Sequence, residues 1–273
     1  MAIMRETKSN IGSILRKVRV RLGYPINEKL FQICGIQRSG NHALINWIIS
    51  QQPLKTCFIN GVFPDQNPWE QNWGISYRNF DYWPGHRDLA GALVSKQLLI
   101  CSYENYALDK IDRHRSQLLV DVGKSQEVCS VLILRDPYNT FASWLKAGWD
   151  VTAEITEMWK VYAREFIGQT SYLQNQTVTI NFNTWFASQE YRRQLAHALN
   201  LEFTDRGLDI ITHHGGGSSF DKQSLDGNAK QMNVLRRFQA FVDNPVYRTI
   251  FQDQEIQELS EKIFGEIEGT KVL

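Results

Sequence analysis

Two short stretches carry residue types and spacings suited to gripping a phosphate-like anion. The first is Gly35-Ile36-Gln37-Arg38-Ser39-Gly40-Asn41-His42. Gly35 and Gly40 keep the G-x-x-x-x-G spacing of a Walker loop, where backbone N–H groups and a helix dipole hold phosphate oxygens. A Walker loop continues with Lys for the β/γ-phosphates and Ser or Thr for magnesium. Here Asn41 and His42 stand in those places, and a cation, Arg38, lies inside the loop before Ser39. Such a site suits an anion bound without Walker-type magnesium; a ligand-free Gly-rich turn is the plainer alternative. The second stretch is Arg135-Asp136-Pro137, with Ser143 eight residues after the Arg. An Arg at the end of a buried strand is costly unless paired. Together with a hydroxyl on the following helix it could grip one phosphate.

These groups need a scaffold, and the sequence reads as an α/β fold of three layers with a doubly wound, mainly parallel sheet of the P-loop nucleotide-binding kind. Five apolar runs, 30–36, 55–62, 97–104, 127–136 and 177–185, lack alternation, the pattern of strands covered on both faces. Helical stretches begin at Asn41, near Pro137 and Thr152, and at Ser188, so strand and helix alternate. Ligands in such sheets bind at the carboxyl ends of the strands. Residues 62–96 break the rhythm with Pro, Trp and Tyr and read as a substrate-side insert. Two further helices are expected over 228–242 and 254–267. The whole of 1–273 is expected to form a single domain.

Taken together, the two motifs resemble the sulfotransferases that use 3′-phosphoadenosine 5′-phosphosulfate. The resemblance spans roughly 30–225 and implies their fold and activity. It assigns Gln37, Arg38, Ser39, Gly40, Asn41 and His42 to the 5′-phosphosulfate, and Arg135 and Ser143 to the 3′-phosphate. The stretch His213-His214-Gly215-Gly216-Gly217-Ser218-Ser219-Phe220-Asp221-Lys222 takes the place of the family's basic loop. Gly215, Gly216, Gly217, Ser218 and Ser219 would form an anion nest there, and Phe220 is the candidate adenine wall. The chain departs from the family in having Arg38 for Lys, Ala43 for a Trp after the loop, and no Arg-Lys-Gly near the C-terminus.

Sulfuryl transfer is an in-line displacement at sulfur and depends on positioning and electrostatics. Arg38 would neutralise the bridging oxygen and His42 would donate to a sulfuryl oxygen or to the departing phosphate, with no metal required. Glu104, after the third expected strand, is the best-placed base, against the alternative that it caps the next helix. His86 is the second candidate. In the insert, Trp69, Trp73 and Trp83, with His86 and Glu104, would wall the acceptor, beside Tyr77 and Tyr82. Asp65, Glu70 and Asp81 add negative charge. Aromatic faces with carboxylates suit a cationic acceptor, for instance a saxitoxin-type guanidinium alkaloid of specialised metabolism. Packing of these aromatics against the core is the competing use. Trp47, Trp144, Trp159 and Trp185 are expected in the core.

Composition bounds the alternatives. In 273 residues Lys+Arg is 30 against Asp+Glu 29, a balance that argues against a broad nucleic-acid face. Aromatic residues are 12%, with eight Trp, a surplus available for ligand walls as well as core. Cys34, Cys57, Cys101 and Cys129 show no CxxC spacing and read as buried thiols of a reducing, cytoplasmic protein. No stretch is long and apolar enough for a transmembrane helix. The basic segment 1–28, with Arg16, Lys17, Arg19 and Arg21, reads as docked and solvated rather than lying on a membrane. A small-molecule P-loop kinase and a catalytically silent nucleotide-binding protein are the competing functions. The kinase lacks Lys and Ser/Thr after Gly40.

Overall fold

The apolar runs become strands because both faces are covered. β1 (Asn27–Gly35), β4 (Lys96–Glu104) and β5 (Ser125–Leu134) are buried over most or all of their length. β2 (Thr56–Asn60) is buried throughout, and β6 (Gln176–Asn181) alternates. With β3 (Gly74–Arg78) they form one six-stranded sheet in the order β3-β2-β4-β1-β5-β6. β2 runs parallel to β4 and antiparallel to β3. The fold is therefore α/β with a mainly parallel sheet. The structure, a computed structural model, describes residues 11–12, 14–15, 18, 22–81, 84, 88, 91, 93–174, 176–212 and 217–273. Arg16, Lys17, Arg19, Arg21, Tyr82, Trp83, His86, His213, His214, Gly215 and Gly216 lie outside the described residues.

Two compact units divide the chain. The first comprises Met1–Cys34, Pro53–Val131 and Tyr172–Val178, and holds most of the sheet. It includes α2 (Leu108–Val122), whose apolar stripe Leu108, Ile111, Leu118 and Val122 is buried. Its insert contains β3, which the sequence pattern does not reveal: four half-exposed edge residues and the exposed Arg78 show no apolar run. Register from Thr56 opposite Arg78 to Asn60 opposite Gly74 pins the insert to the sheet. A buried ion pair ties Asp88 to β4. Lys96 Nζ lies 2.9 Å from Asp88 Oδ2, and both side chains are almost inaccessible. Tyr77 Oη donates to Asp88 Oδ2 at 3.0 Å, while the amides of Leu93 and Val94 donate to Oδ1. Lys96 also donates to Gly91 O and Val94 O. The carboxylate and ammonium thus meet nearly all their hydrogen-bonding capacity, which such burial demands.

The second unit comprises Gly35–Gln52, Leu132–Ser171 and Thr179–Leu273. Its helices are α1 (Asn41–Ser50), α3 (Pro137–Lys146), α4 (Ala153–Phe166), α5 (Phe182–Ala187), α6 (Gln189–Ala198), α7 (Pro245–Ile250) and α8 (Gln254–Phe264). Side-chain caps set most of their starts: Asp136 for α3, Thr152 for α4, Asn181 for α5 and Ser188 for α6. Asn181 ends β6 in this way, so the strand expected over 177–185 stops four residues early. The helix expected over 228–242 is instead two short 3-10 turns, Ala229–Gln231 and Arg237–Ala240. Between them the backbone leaves helical hydrogen bonding, and Val234, Arg237 and Phe238 are buried. Trp47, Trp159 and Trp185 are buried as expected; Trp144 is only half-buried. All four cysteines are free and buried. Burial pushes Cys57 up to about 12 and Cys129 up to about 11, so both stay protonated.

Candidate functional site

The loop between β1 and α1 has a strained, tightly specified backbone. Arg38 has φ 68°, a left-handed conformation that side chains seldom adopt, and Ser39 N donates to Ile36 O at 3.2 Å. Gly40, the N-cap of α1, has φ 86°. A Cβ there would stand 2.1 Å from Phe182 Cε2, so only glycine fits. Asn41, in the place of a Walker lysine, is buried and donates Nδ2 to Ile36 O at 3.0 Å. It holds the loop shut behind its own backbone. Trp144 Nε1 on α3 donates to Gln37 O at 2.9 Å, tying the loop to the next helix. The first turn of α1 has no acidic residue and no side-chain cap. Its partial positive charge is therefore available to an anion. His42 is half-buried in this first turn.

The second motif folds around Arg135. Asp136 caps α3 by accepting from Asn139 N at 2.7 Å, Pro137 occupies the first helical turn, and this start brings Ser143 back over the strand end. Arg135 is 1% exposed, and Nη1 donates to Ser143 Oγ at 3.3 Å and Arg38 O at 3.0 Å. Nη2 donates to Val234 O. Its guanidinium lies 5.1 Å from the Phe182 ring centroid. One phenyl ring thus packs on Gly40 and under Arg135 together.

A third guanidinium, Arg237, completes the cluster. Sequence reasoning missed it, because one Arg in Leu-Arg-Arg-Phe carries no motif. Arg237 Nη1 donates to Ser143 Oγ at 3.4 Å and Nη2 to Ser218 Oγ at 2.6 Å. Asp221 Oδ2 lies 3.3 Å from Nη2. Ser218 Oγ donates to Asp221 Oδ2 and accepts from the amides of Phe220 and Asp221. Phe220 is flanked by two cations, Arg237 Cζ at 5.0 Å and Lys146 Nζ at 5.6 Å from its centroid. Arg38 Nη2 donates to Gly217 O at 3.4 Å. Of the expected cofactor residues, the structure therefore brings the Gln37–His42 loop, Arg135, Ser143, Gly217, Ser218 and Phe220 into one connected cluster in the second unit. Ser219 Oγ, also in that unit, is buried without a hydrogen-bond partner.

Electrostatically the cluster is short of negative charge. Burial first, then repulsion from Arg237, pulls Arg135 down to about 9, with Asp136 opposing and Arg38 adding to the shift. Burial pulls Arg237 down to about 10; Asp221 opposes this and Arg38 reinforces it. The Asp136 carboxylate is engaged by Asn139. Arg135 Nε, Arg237 Nε, Ser39 Oγ and Ser219 Oγ are buried without hydrogen-bond partners. Native structures rarely tolerate several such groups together, and an anion is what these donors fit.

In the first unit, Glu104 ends β4 and is buried. The N-cap position of α2 is Ala107, which makes no side-chain cap bond. Trp69 is fixed in packing: Nε1 donates to Asp121 O at 3.0 Å, and Lys96 Nζ sits 5.4 Å from its ring. Trp73 is 48% exposed, lies over Gly61 and meets Phe63 edge-on at 6.3 Å. Phe63 meets Tyr106 in the same way. Hence Trp73, Phe63 and Tyr106 form an aromatic row, and Tyr106 stands two residues after Glu104. Phe63 and Tyr106 were not singled out from the sequence, where isolated aromatics carry no period.

No family model matches the sequence, and no curated protein matches it. Among solved structures, the fold is similar to the sulfotransferase domain of the olefin synthase from Synechococcus PCC 7002. That likeness covers 88% of this chain and 95% of that one, with TM-score 0.52 and 10% identity. The sulfotransferase domain of the curacin biosynthetic pathway is matched over 88% and 99%, with TM-score 0.47 and 15% identity. Mouse sulfotransferase SULT7A1 complexed with PAP is matched over 88% and 90%, with TM-score 0.43 and 9% identity. At 10% identity the first likeness shows a shared fold and no more.

Proposed function

We propose that the chain transfers a sulfuryl group from 3′-phosphoadenosine 5′-phosphosulfate to a hydroxyl or amino group of a small molecule. One observation carries this reading: the Arg135 and Arg237 guanidinia meet at Ser143 Oγ, Arg38 repels both, and the buried Nε of Arg135 and of Arg237 has no hydrogen-bond partner, which together call for a multiply charged anion. The order of the two motifs and the shared fold support a nucleotide of this kind. Bound there, the donor nucleotide would supply the sulfuryl group and leave as adenosine 3′,5′-bisphosphate. Arg135, Ser143 and Arg237 would hold the 3′-phosphate. The amides from Gln37 to His42 would hold the 5′-phosphate, and Phe220 would face the adenine. Arg38 would neutralise the bridging oxygen as the S–O bond breaks, with His42 donating to the departing phosphate. Glu104 would accept the proton of the attacking acceptor, whose oxygen or nitrogen forms the new bond to sulfur.

Trp73, with its exposed ring, is the proposed acceptor wall, beside Phe63 and Tyr106. A finer proposal is a cationic acceptor such as a saxitoxin-type alkaloid, supported by Trp73 and the carboxylates Asp65, Glu70 and Asp81 of the insert. Unchanged acceptor affinity in Trp73→Ala would remove that support. A cytoplasmic location is proposed from the four free cysteines. Among the described residues no helix is long and apolar enough to cross a membrane.

Thermal denaturation tests the nucleotide. Adenosine 3′,5′-bisphosphate without magnesium should stabilise the protein by about 2.7 kcal/mol at a hundredfold excess over its Kd. Stabilisation only by ATP with magnesium would overturn the reading in favour of a kinase. Asn41, turned back onto Ile36 O, already leaves the kinase reading without its phosphate-binding lysine.

A further inference from the structure

Helix α3 ends in a turn that fixes one exposed indole beside Arg38. Trp149 N donates to Trp144 O at 3.1 Å, and Gly148 N donates to Leu145 O at 3.0 Å. Gly148 has φ 78°, the left-handed residue that such a C-terminal turn requires. These two bonds are the paired closure of a Schellman motif, which usually brings the residues at its two ends into apolar contact. Here those residues are Trp144 and Trp149, whose rings meet edge-on at 5.2 Å. Trp144 is bonded in turn to Gln37 O of the loop. The loop therefore fixes Trp144, and the turn fixes Trp149 against Trp144. Arg38 Cζ stands 5.8 Å from the Trp149 centroid. Trp149 is 40% exposed, so nothing in core packing requires a tryptophan there.

We propose that Trp149 is a positioning residue for Arg38, a platform that holds the guanidinium ready for the anion. The inference rests on the reading of Arg38 as an anion ligand, while its own evidence is the Trp144–Trp149 turn. An unrestrained Arg side chain has many rotamers, and fixing it costs entropy at each binding event. The Trp149 face on one side and Gly217 O on the other restrict Arg38 beforehand. A cation–π contact of this exposure is worth roughly a two- to fivefold effect on an equilibrium.

Arginine Nε–Hε resonances and nucleotide titration together test this. The Arg38 signal, identified by its loss in Arg38→Lys, should carry a ring-current displacement. Trp149→Leu should abolish that displacement and weaken adenosine 3′,5′-bisphosphate about two- to fivefold. Trp149→Phe keeps a ring and should restore both. An Arg38 signal unmoved by Trp149→Leu, in a protein whose other resonances are unchanged, overturns the positioning role. Where wild type binds the nucleotide, equal affinity in Trp149→Leu overturns it as well. Absence of nucleotide binding in wild type, with the Arg38 signal still dependent on Trp149, keeps the positioning role and overturns the sulfotransferase reading instead.

Discussion

Asp221 is a carboxylate inside the proposed anion site, and neutralising it should strengthen binding. Its Oδ2 lies 3.3 Å from Arg237 Nη2, so Asp221→Asn removes the charge and keeps a carbonyl for Arg237 and Ser218 to bond. A phosphate drawn to the Arg237 guanidinium would come within about 6 Å of that carboxylate; at an effective dielectric near 20 the repulsion is about 3 kcal/mol. Asp221 is 28% exposed. Solvent screening therefore reduces the net gain to about 1 kcal/mol, or roughly fivefold. Titration calorimetry with adenosine 3′,5′-bisphosphate at low salt should show Asp221→Asn binding about three- to tenfold tighter than wild type. The difference should narrow as salt rises. Without the ligand, the variant should be less stable, because Arg237 loses its carboxylate partner. Equal or weaker binding by a folded Asp221→Asn would refute the assignment of Arg237 to the anion.

Other expectations follow from the same geometry. Arg237→Met should weaken the nucleotide at least tenfold, each charge-assisted bond being worth about 1.5–3 kcal/mol. Its effect on the ligand-free melting temperature should be small, because repulsion on Arg135 is relieved; equilibrium dialysis and calorimetry separate the two. Gly40→Ala should cost more than about 2 kcal/mol in a urea midpoint, since a left-handed φ and the Phe182 ring oppose it together. Asp88→Asn should destabilise the protein by about 3–5 kcal/mol, read by denaturant unfolding, because it strands the buried Lys96 ammonium. Burial holds the His114 imidazole below the usual histidine range, although Asp121 and Asp65 oppose it. The neutral ring is therefore the folded form. Its contribution to stability is present above about pH 6.5 and is lost as pH falls through the lowered pKa. Unfolding midpoints between pH 7.5 and 5 should fall less steeply in His114→Gln.

The pairing of Arg135 with Ser143 is legible in the sequence because its parts are local. Arg135 and Ser143 meet since Asp136 and Pro137 set the start of α3, and a helix returns a side chain after two turns. The strand–loop–helix around Gly40 is likewise written in consecutive residues. Arg237 was illegible because its role depends on a non-helical segment returning to α3, a contact that no local period encodes. The same segment, expected as a helix over 228–242, forms two short 3-10 turns instead. β3 escaped notice because an edge strand with one wet face needs no apolar run. Trp144 was assigned to the core from its place in a helix, yet its indole N–H is used on the loop. Glu104 was found by position alone, and its burial at the end of β4 is the part that structure added.

The distance along the chain between the partners of the arginine cluster also has a meaning for biosynthesis. Arg38 reaches Gly217, 179 residues later, which at ribosomal rates of about 5–20 residues per second emerges roughly 10–35 s afterwards. During that interval the glycine loop and Arg135 exist without Ser218, Asp221 or Arg237. On the proposed assignment, the nascent chain cannot draw stability from the nucleotide until the C-terminal segment has joined.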